Sequence, residues 1–125
     1  MNSLKLKVEL VELYSLKDFV EQNYKEDMLV NLVVEEIFVN IVNYSNADYI
    51  IVNIEYYDDL IIEFVDNGIK FDPTSQEAPK KPNDIEEAQL GGVGILLAKS
   101  YADELIYAYE NGENHLKIIK KGYDE

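Results

Sequence analysis

Two pairs of short runs rich in β-branched and aromatic residues oblige this chain to build a sheet in which sequence neighbours are spatial neighbours. "YIIVNIEYY" (Tyr49–Tyr57) and "LIIEFVD" (Leu60–Asp66) flank Asp58-Asp59, a connection short enough for a hairpin. "ELIYAYE" and "NHLKIIKKGY" are joined across Asn111-Gly112, the dipeptide best suited to the positive φ angles of a tight hairpin turn. "LKLKVEL" (Leu4–Leu10) alternates apolar and polar residues and predicts a first, half-buried strand. Helical spacing follows in "YSLKDFVEQNY", with Ser15 as its N-cap and an end near Asn23, then from about Glu26 or Asp27 to about Tyr44, where "SNAD" breaks the pattern. "VGILLAKSYA" predicts a third helix. The order strand, helix, helix, two strands, long loop, helix, two strands predicts an α+β fold. Its architecture is a two-layer sandwich of a mixed, mostly antiparallel sheet with helices on one face.

With 125 residues, 47% of them apolar, the chain suits one domain over 1–125 with a core of its own. No apolar run reaches the length of a membrane span, and "MNSLKLKVEL" lacks the apolar centre of a signal peptide. The expectation is a cytoplasmic protein with no membrane partner. The absence of Cys removes disulfides, thiolate nucleophiles and Cys-based zinc sites. A formal charge of −14 argues against a nucleic-acid partner, because phosphate neutralisation needs clustered Lys and Arg. It suits a basic protein partner, although solubility alone also accounts for it.

The longest helix raises a chemical question. In "VEEIFVNIVNYS" (Val34–Ser45), Glu36, Asn40 and Asn43 interrupt the apolar pattern at spacings of four and three, so they share one line on the helix surface. Leu29, Leu32 and Val33 begin the same line, which predicts a stripe that starts in the core and turns polar halfway, as a cavity wall would. Val30, Val34, Ile37, Phe38 and Ile41 are expected to fill the core face, with Asn31 and Glu35 pointing elsewhere. Glu36 and Asn40 on the wet side of a surface helix is the competing reading.

Two glycine sites bear on that choice. "VDNGIKFDP" sets Asp66 at the end of an apolar strand, two residues before a Gly that permits close approach of another group. Asn67-Gly68 also suits a hairpin, but Asp72-Pro73 arrives too soon for a returning strand. "LGGVGILLAKS" puts three Gly around a helix start, where free N–H groups and the helix dipole can hold phosphate oxygens. The polar segment between them contains all three Pro, together with Lys80 and Lys81, and is far longer than an ordinary loop.

In order and spacing over about 26–103, these segments resemble the motif set of the GHKL ATPases, which share a histidine-kinase-like ATPase fold. "EEIFVNIVNYS", "DNGIKFDP" and "GGVGILLAKSYADEL" are most similar to the anti-sigma-factor serine/threonine kinases of bacterial partner-switching systems. That resemblance implies a single ATP-binding kinase domain using ATP and Mg²⁺. It implies Asn40 as the Mg²⁺ ligand and Glu36 as the catalytic base that orients or deprotonates an attacking hydroxyl. Asp66 would accept a hydrogen bond from the adenine amino group, with Gly68 letting the base approach. Gly92 and Gly94 would let the chain fold over the phosphates, with Asn43, Phe71, Gly91, Val93 and Ile95 completing the nucleotide contacts. Residues 72–90 would form the ATP lid. The implied partners are a STAS-domain anti-anti-sigma protein as substrate, a sigma factor or other regulator, and often a second copy of the chain.

Three departures stand out. Asn43 replaces the basic residue frequent in sensor histidine kinases, which sides with the serine-kinase branch; Ala88-Gln89-Leu90 stands where relatives often carry an Arg; and "NHLKIIKK" has no Thr where many relatives place one near the adenine, leaving that contact to another group or to water. The lid without Arg and the acidic composition keep open a nucleotide-dependent binding module without kinase activity. A detached histidine-kinase ATP-binding domain is the other alternative. His115 is expected in sheet packing or at the surface, and the ten Tyr in packing first.

Overall fold

The computed structural model describes residues 1–75 and 93–122. Five strands, β1 (Asn2–Leu6), β2 (Ile50–Tyr56), β3 (Leu60–Asp66), β4 (Glu104–Glu110) and β5 (Glu113–Lys120), form one sheet in the order β1-β2-β3-β5-β4. Every neighbouring pair among them is antiparallel. Three helices, α1 (Leu13–Asn23), α2 (Met28–Tyr44) and α3 (Val93–Tyr101), and two 3₁₀ turns, Leu10–Glu12 and Pro73–Ser75, complete the described chain. Most of the expected lid over residues 72–90 lies outside the described residues.

The Asn111-Gly112 hairpin forms as its chemistry demands, with φ of 53° and 77° at the two turn residues. Asp27 caps α2 by accepting from the N–H groups of Leu29 (3.0 Å) and Val30 (3.2 Å). Two boundaries differ from expectation. Ser15 lies inside α1, because the 3₁₀ turn at Leu10–Glu12 winds directly into the helix and starts it at Leu13. The first strand spans Asn2–Leu6, ending where its ladder to β2 stops at the pairing of Leu6 with Ile50.

The core lies between the helices and one face of the sheet. Val52, Phe64 and Leu116 form one cross-strand row, Ile54, Ile62 and Ile118 the next, and Leu16, Val20, Val30, Val34, Ile37 and Phe38 cover them. The other face carries a polar row across four strands. Ser3 donates to Asn53 (2.5 Å), Asn53 donates to Glu63 (2.8 Å), and His115 sits between Glu63 (3.5 Å) and Glu113 (3.7 Å). His115 is thus a sheet-face residue, as its position in β5 suggests.

On α2, Val30, Val33, Val34, Ile37 and Phe38 are buried, and Glu35 pairs with Lys17 of α1 at 3.2 Å. The line through Glu36 and Asn40 differs at its start from what periodicity implies. Leu29 and Leu32 are exposed and only Val33 is buried, so the line begins on an apolar surface patch at the N-terminal end of α2. Single-helix periodicity does not show which apolar residues the neighbouring elements leave uncovered.

Candidate functional site

The core row that begins with Val52, Phe64 and Leu116 ends one position further on in a polar pair. Asp66, the last residue of β3, lies opposite Asn114 of β5, and both are only 6% exposed. A buried carboxylate without donors would be costly, so its hydrogen bonds define the site. Asp66 Oδ1 accepts from the Gly68 N–H at 2.9 Å and from the Asn114 side-chain amide at 3.1 Å. Burial pushes the Asp66 carboxyl above the ordinary range; the Gly68 N–H and the Asn114 amide pull it back, Glu113 adds to the rise, and His115 opposes it.

Asn114 also holds the chain that leaves Asp66. Its amide group donates to the Ile69 carbonyl at 2.9 Å, while its Oδ1 accepts from the Phe71 N–H at 3.1 Å and from the Tyr107 hydroxyl at 2.5 Å. Burial lifts the Tyr107 phenol above its usual range, which keeps it a protonated donor. Beyond Phe71, Asp72 Oδ1 accepts from the Thr74 N–H at 2.8 Å and starts the second 3₁₀ turn. The Asn67-Gly68 pair therefore opens a tethered excursion, not a hairpin.

Gly68 ties this turn to α2. A Cβ there would stand 2.4 Å from the Ser45 carbonyl oxygen, 2.7 Å from Ser45 Cβ and 2.9 Å from Asp66 Oδ1. The neighbouring Ile69 N–H donates to the same Ser45 carbonyl at 2.8 Å. In the fold Gly68 is the point where the turn meets the end of α2. Asn67 adds a second tie, accepting from the N–H groups of Asp48 (2.7 Å) and Tyr49 (3.3 Å).

One and two turns back from that junction, Asn40 and Glu36 are half-buried, and Asn43 is exposed near the helix end. Phe71 is 49% exposed at the mouth of the turn. Helix α3 packs on α2 and begins at Val93, so the backbone of Val93, Gly94 and Ile95 forms its first turn beside the Asn-bearing helix. Gly91 and Gly92 lie outside the described residues. The Asp66 turn is thus fastened to the C-terminal end of α2, the helix that bears Asn40 and Glu36 and on which α3 packs. Asn114 and Tyr107 are not singled out by sequence reasoning. Their signal is available in part, because alternation in β5 places Asn114 on the inward face with Leu116 and Ile118.

The histidine kinase-like ATPase domain family matches residues 18–120. The chain belongs to that family. Membership implies ATP as the ligand, and the matched segment contains α2, the Asp66 turn, α3 and the closing hairpin. The serine/threonine-protein kinase BtrW of Bordetella bronchiseptica is 32% identical over 64 residues, a match that covers 51% of this chain and 45% of that protein. The chain thus aligns with less than half the length of this curated relative. The Acinetobacter baumannii histidine kinase AdeS shares the fold, with a TM-score of 0.57, 14% identity, and coverage of 99% of this chain and 69% of that one. Together they bear out the α+β, histidine-kinase-like ATPase architecture expected from the motifs. Among the described residues no helix is long and apolar enough to cross a membrane.

Proposed function

We propose that this domain is an ATP-dependent protein serine/threonine kinase of the anti-sigma-factor type. The observation that carries the reading is the Asp66 junction: a buried, doubly hydrogen-bonded carboxylate fastened to the end of the helix that bears Asn40 and Glu36. Asp66 accepts from the 6-amino group of adenine, and the first turn of α3 offers N–H groups to the phosphates. Asn40 provides one hard amide oxygen, which fits Mg²⁺, an ion that takes few protein ligands beside phosphates and water. When bound, Mg²⁺ supplies neutralisation of phosphate charge. Glu36 accepts the proton of the substrate hydroxyl as its oxygen bonds to the γ-phosphorus, the bond to the β–γ bridging oxygen breaks and ADP leaves. The proposed substrate is a serine of a small STAS-domain antagonist, with a sigma factor or comparable regulator as the alternative partner and a homodimer as the working assembly.

Calorimetry of ATP binding with and without Mg²⁺, on the wild type and on Asn40→Ala, tests the site. Magnesium-dependent binding that the variant loses supports it, and absence of binding in both refutes it. Glu36→Ala is expected to slow transfer by ~10²- to 10⁴-fold while ATP affinity stays nearly unchanged. Parallel loss of both would remove Glu36 from the base role. An acid-stable phosphoprotein product separates a serine kinase from a histidine kinase domain, and no product with any partner would leave a nucleotide-dependent binding module.

A further inference from the structure

We infer that Asn114 is the positioning residue that makes this site select a 6-amino over a 6-oxo purine, by holding Asp66 as an acceptor with one oxygen free. The inference rests on the nucleotide reading above and adds to it a determinant of base selectivity.

The orientation of the Asn114 amide follows from partners that cannot exchange roles. The Phe71 backbone N–H can only donate, so the atom facing it at 3.1 Å is the amide oxygen. The Ile69 carbonyl can only accept, so the atom facing it at 2.9 Å is the amide nitrogen. With the Gly68 carbonyl further off at 3.4 Å, the nitrogen directs its other hydrogen to Asp66 Oδ1 at 3.1 Å. The Gly68 N–H reaches the same oxygen at 2.9 Å. With two donors aimed at it, Oδ1 carries no proton, and Oδ2, which has no hydrogen-bond partner among the described residues, is left to meet a ligand.

An ionised Oδ2 accepts from an exocyclic amine; a protonated one donates to an exocyclic carbonyl. The protonation state of Asp66 therefore chooses the base. Burial favours the neutral acid, and Glu113 of β5 pushes the same way, whereas the two N–H donors and His115 favour the anion. Tyr49 and Tyr107 flank the group as neutral phenols whose own titration is raised. Of the two N–H donors to Asp66, the one from Asn114 belongs to a side chain and can be removed by substitution without touching the backbone.

The test measures affinities for ATP and inosine triphosphate by calorimetry between about pH 5 and pH 8, near and above the ordinary carboxylate range. Wild type, Asn114→Leu and Asn114→Asp are compared, with folding checked by thermal melting. Leu removes the donor. Asp keeps an acceptor for Phe71 and Tyr107 but sets a second acid beside Asp66. ATP affinity should fall on acidification with a midpoint that rises in the order wild type, Leu, Asp, by about one pH unit or more. The ATP-to-inosine-triphosphate preference at pH 7 should drop about tenfold or more, the effect of losing a hydrogen bond to a charged group. A merely structural role would lower the melting temperature and leave midpoint and preference in place, which would overturn the inference. If Leu does not fold, the near-isosteric Asp variant decides alone. Failure of the wild type to bind ATP would overturn the nucleotide reading itself, an outcome distinct from unchanged selectivity in a wild type that binds.

Discussion

Gly68→Ala should damage this domain more than its position in a surface turn suggests. The added Cβ would lie 2.4 Å from the Ser45 carbonyl oxygen, and carbon–oxygen contacts relax only near ~3.4 Å, so turn and helix end must part by about 1 Å. That separation stretches the Ile69–Ser45 hydrogen bond from 2.8 Å to about 3.8 Å, beyond hydrogen-bonding range. Losing a partly buried backbone bond costs about 1–3 kcal/mol, and the contact at 2.9 Å with Asp66 Oδ1 adds a displaced, desolvated carboxylate. A total of about 2–4 kcal/mol is expected. With an unfolding entropy of about 2.1 cal/mol/K per residue, 125 residues give about 0.26 kcal/mol/K, so the melting temperature should fall by about 8–15 °C. The protein should remain folded at about 20 °C, where a calorimetric titration should show ATP binding largely lost. A variant that melts within about 2 °C of the wild type and binds ATP normally would refute both the steric argument and the link from the helix end to Asp66.

Gly112→Ala provides the contrast. Gly112 has φ of 77° with open space for 4 Å around the point where a methyl group would stand, so only backbone strain of about 1–2 kcal/mol should appear in thermal melting, with ATP binding intact. Asp66→Asn should abolish ATP binding while raising the melting temperature near neutrality. The sign follows from the raised carboxyl: between the unfolded value near 3.8 and the higher folded value, the native state binds more protons, so wild-type stability declines as pH rises through that window. The gap between variant and wild type should therefore widen upward from about pH 4 and then level off, and a melting series that shows a constant or shrinking gap would contradict it.

The elements that can be read from sequence are those whose cause is local. Asn111-Gly112 announces its turn because few other dipeptides accept two positive φ angles, and Asp27 announces α2 because its carboxylate reaches N–H groups two and three residues on. Asp66, Asn40 and Glu36 are visible as polar residues breaking apolar patterns. What escapes depends on pairings across the sheet or between layers. Asn114 meets Asp66 48 residues away in sequence, and the reason for Gly68 is a carbonyl in another element. Leu29 and Leu32 show the same limit, because periodicity names a face but not what covers it.

Fastening the Asp66 turn to Ser45 turns α2 into a ruler. Asn40 and Glu36 precede Ser45 by five and nine residues, so they stand about 7.5 Å and 13.5 Å along the axis from the junction. Under the proposed nucleotide reading, the interval between the Asp66 junction and Asn40 is therefore counted in helical residues. One residue inserted between Asn40 and Ser45 would lengthen the interval by only about 1.5 Å but swing Asn40 and Glu36 about 100° around the helix relative to Asp66. The number of residues between Asn40 and Ser45 is thus constrained alongside the apolar face that α2 buries in the core.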